Sequence, residues 1–372
     1  MTASVTSWLE KLSLPKVRAC DDSVIAENAV IIAAAGFEDR TLAFSSSLVA
    51  TGCLLGLAVY KDWEKENRVE DIVASYGSAG IDRDEITSFE YDRFDPDRFA
   101  STLESWLHGV SQPRVLIDIS TMSRLAIMIV LDVCRLSGKD VGVYYAEASK
   151  YGPTKEEYEN ARKGLYPRPS IQVYSGLGGV VRSARLSSVA LQGEPTVLIA
   201  FMSMNEVLTQ ALINCISPSR LLLINGRPPH HGWREEATAW IHDDLRREWA
   251  ITDNPNSTVA HELALPDRVT STLDYAETVS VLLDLYWSAA AEFRIVLAPT
   301  GSKMQTVSCF VAKAVHTDIH IEYPTPESFL KEYSRGIGNR WLIEFGDLRQ
   351  NIERWRSVIM KDRLMILDEV NR

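Results

Sequence analysis

Short runs of β-branched and aliphatic residues alternate along this chain with longer stretches in which apolar positions recur every three or four residues, the pattern of a parallel sheet flanked by helices. In the first half the predicted strands are "AVIIAAA" (Ala29 to Ala35), "LLGLAVY" (Leu54 to Tyr60), "EITSFEY" (Glu85 to Tyr91), "RVLIDI" (Arg114 to Ile119) and "VGVYYA" (Val141 to Ala146). In the second half they are "TVLIAF" (Thr196 to Phe201), "RLLLIN" (Arg220 to Asn225), "STVAHELA" (Ser257 to Ala264), "RIVLAP" (Arg294 to Pro299) and "DIHIEY" (Asp318 to Tyr323). The two lists run in parallel.

The connections agree as well. After its second strand each half has a polar loop with a tryptophan and then acidic helix residues, "KDWEKENRVEDI" from Lys61 and "GRPPHHGWREEATAWI" from Gly226. "DRFDPDRFASTLESWL" and "LPDRVTSTLDYAETVSVLL" follow the third strands as helices, and each half closes with a Lys-Glu-Tyr segment and a further strand, "SIQVYS" or "RWLIEF". The shared order predicts an α/β protein with an internal tandem repeat, about 150 residues per copy. Residues 1–28 form an N-terminal helix and lead-in, 29–182 the first Rossmann-like unit, 196–345 the second, and 346–372 a charged amphipathic helix.

Bulk properties narrow the chemistry. A formal charge of −11 repels long nucleic-acid backbones on average, which leaves room for a small anionic ligand in a locally basic pocket. Five scattered cysteines without paired spacing fit a reducing compartment. The N-terminus lacks the pattern of a signal peptide, and no run reaches the roughly 20 apolar residues of a membrane helix. The expectation is a cytoplasmic protein without a membrane partner, a cofactor or a metal.

In an open parallel sheet the ligand crevice lies at the carboxyl ends of the strands, where helix N-termini offer backbone N–H groups to anions. The turn Thr300, Gly301, Ser302, Lys303 stands at such a place, between "RIVLA" and the helix "MQTVSCFVAKAV". Its counterpart in the first copy is Ser120, Thr121, Met122, Ser123, Arg124. Hydroxyls that only cap buried helices are the alternative reading. Neither turn is a Walker A loop, and "GLGGVV" at Gly176 follows a late strand, so it reads as a flexible turn and not a dinucleotide fingerprint.

The first strand-to-helix turns form a second constellation: Gly36, Glu38, Asp39 and Arg40 in copy one, Ser203, Asn205 and Glu206 in copy two. Gly36 and Arg40 could contact a ribose or phosphate and Glu38 or Asp39 a ribose hydroxyl or base amine; capping alone also accounts for the acidic residues. A third candidate is the loop "NGRPPHHGW", where Arg227, His230 and His231 precede Trp233; a mobile polar loop with a stacking tryptophan is the expectation. Lys61, Trp63 and Lys65 hold the equivalent place in copy one.

At "VLAPTGSKMQTVSCFVAKAV" the chain resembles the signature of CRISPR-associated Rossmann fold (CARF) domains, with Thr300, Gly301, Ser302, Lys303 and Met304 matching it. In copy one, Ser120, Thr121, Ser123 and Arg124 match more loosely, without the glycine and with arginine for lysine. Tandem CARF-like units, as in SAVED domains, bind cyclic oligonucleotide second messengers in bacterial antiviral systems. The resemblance therefore implies two Rossmann-like units in an intramolecular pseudo-dimer that sense a cyclic or linear oligonucleotide, with a separate effector protein as the output. It implies that Lys303 and Arg124 hold phosphates. Three alternatives stay open: a metal-independent ring nuclease, with His230 or His231 as acid or base; a nucleoside or NAD glycosyl-transfer enzyme using Glu38 or Asp39; and a structural subunit of a defence complex. The apolar helices after the two signature strands are expected to pack copy on copy or protomer on protomer, in a homo-oligomer.

Overall fold

A computed structural model describes residues 8–20, 23–61, 67–165, 174–189, 194–252, 268–329 and 333–370. The expected strand "STVAHELA", and Trp63 and Lys65, lie outside the described residues. The chain divides into two units: Met1–Glu147 with Phe310–Thr317 and Ile337–Arg372, and Ala148–Cys309 with Asp318–Gly336.

The first unit is built on β1 (Ala29–Ala35), β2 (Leu54–Tyr60), β3 (Ile86–Tyr91), β4 (Arg114–Asp118) and β5 (Asp140–Ala146), crossed over by α1 (Val69–Ser78), α2 (Pro96–Gly109) and α3 (Arg124–Ser137). These five strands are mutually parallel and lie in the order β5-β4-β1-β2-β3. That is the Rossmann order 3-2-1-4-5 read from the other edge, with its switch point between β1 and β4. All seven residues of β1 are buried, as a central strand covered on both faces requires.

The second unit repeats this topology. Its strands β6 (Thr196–Phe201), β7 (Arg220–Arg227), β8 (Arg268–Ser271), β9 (Arg294–Ala298) and β10 (His320–Ile321) are parallel in the order β8-β7-β6-β9-β10, so the switch point falls between β6 and β9. The crossover helices are α4 (Glu206–Ile216), α5 (Trp233–Ile241), α6 (Tyr275–Ala289) and α7 (Lys303–Val315). The protein is thus mixed α/β with two parallel-rich sheets, each containing five parallel strands in one order.

Three expectations are corrected. The third strand of the second unit includes "RVTS", which the pattern had assigned to the lead-in of a helix; it pairs with Ile224–Arg227 of β7. No α-helix follows β1: the segment forms 3-10 turns at Asp39–Leu42 and Ser45–Ser47. Its serines turn back onto local carbonyls, Ser45 onto Leu42, Ser46 onto Ala43 and Ser47 onto Ala43 and Phe44, which competes with helix propagation.

The strand "RWLIEF", expected to close the second copy, is part of β11 (Arg340–Asp347), antiparallel to β5 in the first unit. The stretch after β5, from Ala148 onward, belongs to the second unit. The tail of each copy is therefore counted with the other copy's sheet.

The apolar helix α3 packs on α2 and on α8 (Leu348–Val370). Leu348, Ile352, Trp355 and Ile359 of α8 are buried, and its Asp362 pairs with Lys11.

Candidate functional site

Both hydroxyl-and-base turns fall at the switch point of their sheet. In the second unit Thr300 follows β9 and is 3% exposed. Its hydroxyl donates to the Phe201 carbonyl (2.7 Å) and accepts from the Phe201 N–H (2.8 Å), so it stitches the ends of β6 and β9 together. Gly301 packs against Phe201: a methyl group there would sit 2.9 Å from the Phe201 Cγ and would also meet the Gln305 amide.

Ser302 then caps α7. Its Oγ accepts from the Gln305 N–H (3.0 Å) and donates to the Thr272 carbonyl (2.7 Å), while the Ser302 N–H donates to Gln305 Oε1 (2.8 Å). This is a capping box whose glutamine also reaches Thr270 Oγ1 (3.0 Å) through its amide nitrogen. Lys303 is the first helical residue and is half-buried.

The first unit meets the same problem with different parts. Ser120 has no exposure; its N–H donates to Asp118 Oδ1 (2.9 Å) and its hydroxyl accepts from the Ala146 N–H at the end of β5 (2.9 Å). Thr121 Oγ1 donates to the Ala34 carbonyl of β1 (2.9 Å), and Gly36 lies directly against it, with room for no side chain: an added Cβ would be 2.8 Å from the Thr121 Cβ. Ser123 caps α3 by accepting from the Ala126 N–H (3.2 Å). The Ser123 N–H donates to the Tyr60 hydroxyl (2.5 Å), where the other unit uses Gln305. Arg124 is the first helical residue and half-buried, as Lys303 is.

Ser120 and Thr300 thus spend their hydroxyls on the framework, which leaves Thr121, Ser123, Ser302, Arg124 and Lys303 nearer to solvent. Asn205 is likewise committed: it is buried and caps α4 by accepting from the Val207 N–H (2.9 Å). Glu38 and Arg40 form a buried ion pair with each other (2.5 Å). The structure brings Gly36 to Thr121 and keeps Glu38 and Arg40 as a mutual pair.

The "NGRPPHHGW" loop is corrected in part. Trp233 opens α5 and stacks on Tyr158 (5.6 Å between centroids), so it is a packed residue. The next residue, Arg234, donates to the carbonyls of Tyr151, Gly152 and Pro153 (2.8, 3.0 and 2.9 Å), and burial pulls its guanidinium down to about 10. Arg227 pairs with Glu277 (2.8 Å), and His230 and His231 are exposed. Lys61 pairs with Asp92 (3.0 Å). Among the described residues no group of three or more His, Cys, Asp or Glu side chains is placed to hold a metal ion, and no helix is long and apolar enough to cross a membrane.

Contributors not singled out in the sequence fall into three groups. Gln305 was legible, since Ser302-x-x-Gln305 is a capping-box spacing before an apolar helix. Tyr60 and Tyr91 end neighbouring strands in register, edge to face at 5.1 Å, and the Ser123 hydroxyl lies 3.4 Å from that of Tyr91. His320 and Glu322 alternate along "DIHIEY", are both buried, and meet at 3.0 Å, with Arg182 on the same carboxylate oxygen (2.5 Å).

The contrast in helix charge is sharper than any of these. Helices α1, α2, α4, α5 and α6 each carry an acidic residue in the first turn, the arrangement the helix dipole favours. The two switch-point helices carry none and begin instead with a cation, Arg124 or Lys303. A positive side chain at a helix N-terminus costs stability, and a bound anion would reverse that sign. No protein-family model matches the chain, and no curated protein matches it.

Proposed function

We propose that the protein senses an oligonucleotide second messenger, cyclic or linear, and passes the signal to a separate effector. One observation carries the reading: in each unit the helix that opens at the switch point begins with a cation and has no acidic residue in its first turn, against the trend of the other crossover helices. Evolution of a helix for stability alone gives the opposite charge there.

In this reading Lys303 and Arg124 carry the charge that holds phosphates, with Ser123 beside them as a hydroxyl donor, while Thr121 and Ser302 donate to the Ala34 and Thr272 carbonyls and fix the shape of the turns. Gly36 and Gly301 keep the two turns close to the first strand of their sheets. Ser120, Thr300 and Asn205 shape the site without touching the ligand. The pairing of two units as an intramolecular pseudo-dimer, and the antiviral setting, rest on the CARF-like resemblance of Thr300–Met304.

Isothermal titration against cyclic di-, tri-, tetra- and hexanucleotides tests the reading, with chromatography of the same mixtures to detect ring opening. The expected result is saturable binding to at least one member, lost in Lys303→Ala, with the ligand recovered intact. Binding to none, or binding indifferent to both Lys303→Ala and Arg124→Ala, rejects it.

A further inference from the structure

Each unit is built from both halves of the chain. The first takes Met1–Glu147 from the N-terminal half, and Phe310–Thr317 and Ile337–Arg372 from the C-terminal half; the second takes Ala148–Cys309 and Asp318–Gly336. A cut between Val189 and Glu194 therefore leaves two pieces that each carry part of both units.

The C-terminal piece completes the sheet of the first unit. β5 lies between β4 and β11, so without β11 its outer N–H and C=O groups would form an open edge. The antiparallel ladder runs from Arg340 opposite Ala146 to Asp347 opposite Asp140, with Ile343 and Phe345 buried. Arg114 on β4 pairs with Glu344 (2.6 Å), and Trp341 Nε1 donates to the Glu147 carboxylate (3.0 Å). α8 then brings buried Leu348, Ile352, Trp355 and Ile359 and packs on α3.

The N-terminal piece returns the contact in the second unit. Lys150–Tyr151, Tyr174–Ser175 and Gly179–Val181 pair antiparallel with Ser334–Arg335, Ser328–Phe329 and Tyr323–Thr325. Tyr158 is buried with its ring stacked on Trp233. Arg182 holds the buried Glu322 carboxylate (2.5 Å), and the Ser188 N–H donates to Nδ1 of its buried neighbour His320 (3.1 Å). Arg234 spends its guanidinium on the carbonyls of Tyr151, Gly152 and Pro153, acceptors that a desolvated cation needs.

We propose that residues 1–189 and 194–372 bind each other as two protein partners would, through two reciprocal tail exchanges, and that the peptide link between them is dispensable for assembly. The partner that fits each surface is a second polypeptide carrying the complementary half, the relation seen when identical chains swap elements. The two exchanges act as a bivalent contact, so opening one leaves the other to hold its tail at high effective concentration. Sequential units joined only by a linker would instead part once the linker is cut. This inference does not depend on what ligand the switch-point turns hold.

A site-specific protease sequence placed between Val189 and Glu194 of the full chain tests it. After complete cleavage the pieces should elute together at the volume of the uncut protein, and their melting temperature should rise with concentration while that of the uncut protein does not. Trp355→Ala on the first exchange and Tyr158→Ala on the second should each raise the dissociation constant of the cut protein by about tenfold or more, with the uncut variants still folded by circular dichroism. Pieces that separate under native conditions overturn the proposal. So does an association indifferent to both substitutions, which would put the contact somewhere other than the exchanged tails.

Discussion

The two switch-point turns solve one structural problem by opposite routes. In the second unit the turn gains a brace from within its own helix: Ser302 and Gln305 bond to each other, Gln305 reaches Thr270 in β8 and Ser302 reaches Thr272 just past it, while Thr300 ties the turn to β6. In the first unit the helix offers Ala126 where Gln305 would stand, and bracing comes from outside: Tyr60 from the end of β2 takes the Ser123 N–H, and Ser120 fastens to β5. What stays constant is the cation on the first helical residue. The proposed function gives that constant charge its role, as the contact to a bound phosphate.

This comparison can be broken at graded cost. The largest effect is expected from Thr300→Val, which strands both the N–H and the carbonyl of buried Phe201; urea unfolding should show a loss of about 2–4 kcal/mol. Ser120→Ala strands only the Ala146 N–H and should cost about 1–2 kcal/mol. Equal losses would mean that the two hydroxyls do the same work, contrary to their bonding.

Bracing from within and from outside separates next. Gln305→Ala removes two hydrogen bonds from a buried side chain and should destabilise by about 2–3 kcal/mol, whereas Tyr60→Phe removes one acceptor and should cost about 1 kcal/mol. Denaturant midpoints at constant slope give both numbers. A Tyr60→Phe cost equal to that of Gln305→Ala would undo the contrast.

The smallest effect on stability carries the most information about function. Lys303→Glu and Arg124→Glu place a favourable charge at a helix N-terminus and should leave the unliganded protein unchanged or raise its stability by about 0.3–1 kcal/mol. The same substitutions should abolish binding of an anionic nucleotide. Loss of stability of 2 kcal/mol or more, on the order of a broken buried network, would show instead that these cations serve the fold.

Much of this was readable from residue order. The strands β1, β2, β4, β6 and β9 are dense apolar runs, and the placement of both turns after the fourth strand of each copy followed from counting them. Three features were not readable. "RVTS" is a short strand with only Thr270 fully buried, so its residues carry little hydrophobic signal. The serine-rich stretch after β1 looked helical because its apolar spacing does, while its hydroxyls bind local carbonyls. The pairing of β11 with β5 joins residues some 200 positions apart, and no local pattern encodes such a partner. At the site, the hydroxyls were visible, but which of them face inward depends on neighbouring strand ends that the sequence lists far away.

The most direct measurement is calorimetric titration of the intact protein with the cyclic oligonucleotide panel, run in parallel on the wild type, Lys303→Glu and Arg124→Glu. The account predicts that the wild type binds one member of the panel and that both variants, folded and at least as stable, lose it. Binding that survives both charge reversals would contradict the claim that these turns are kept for an anion.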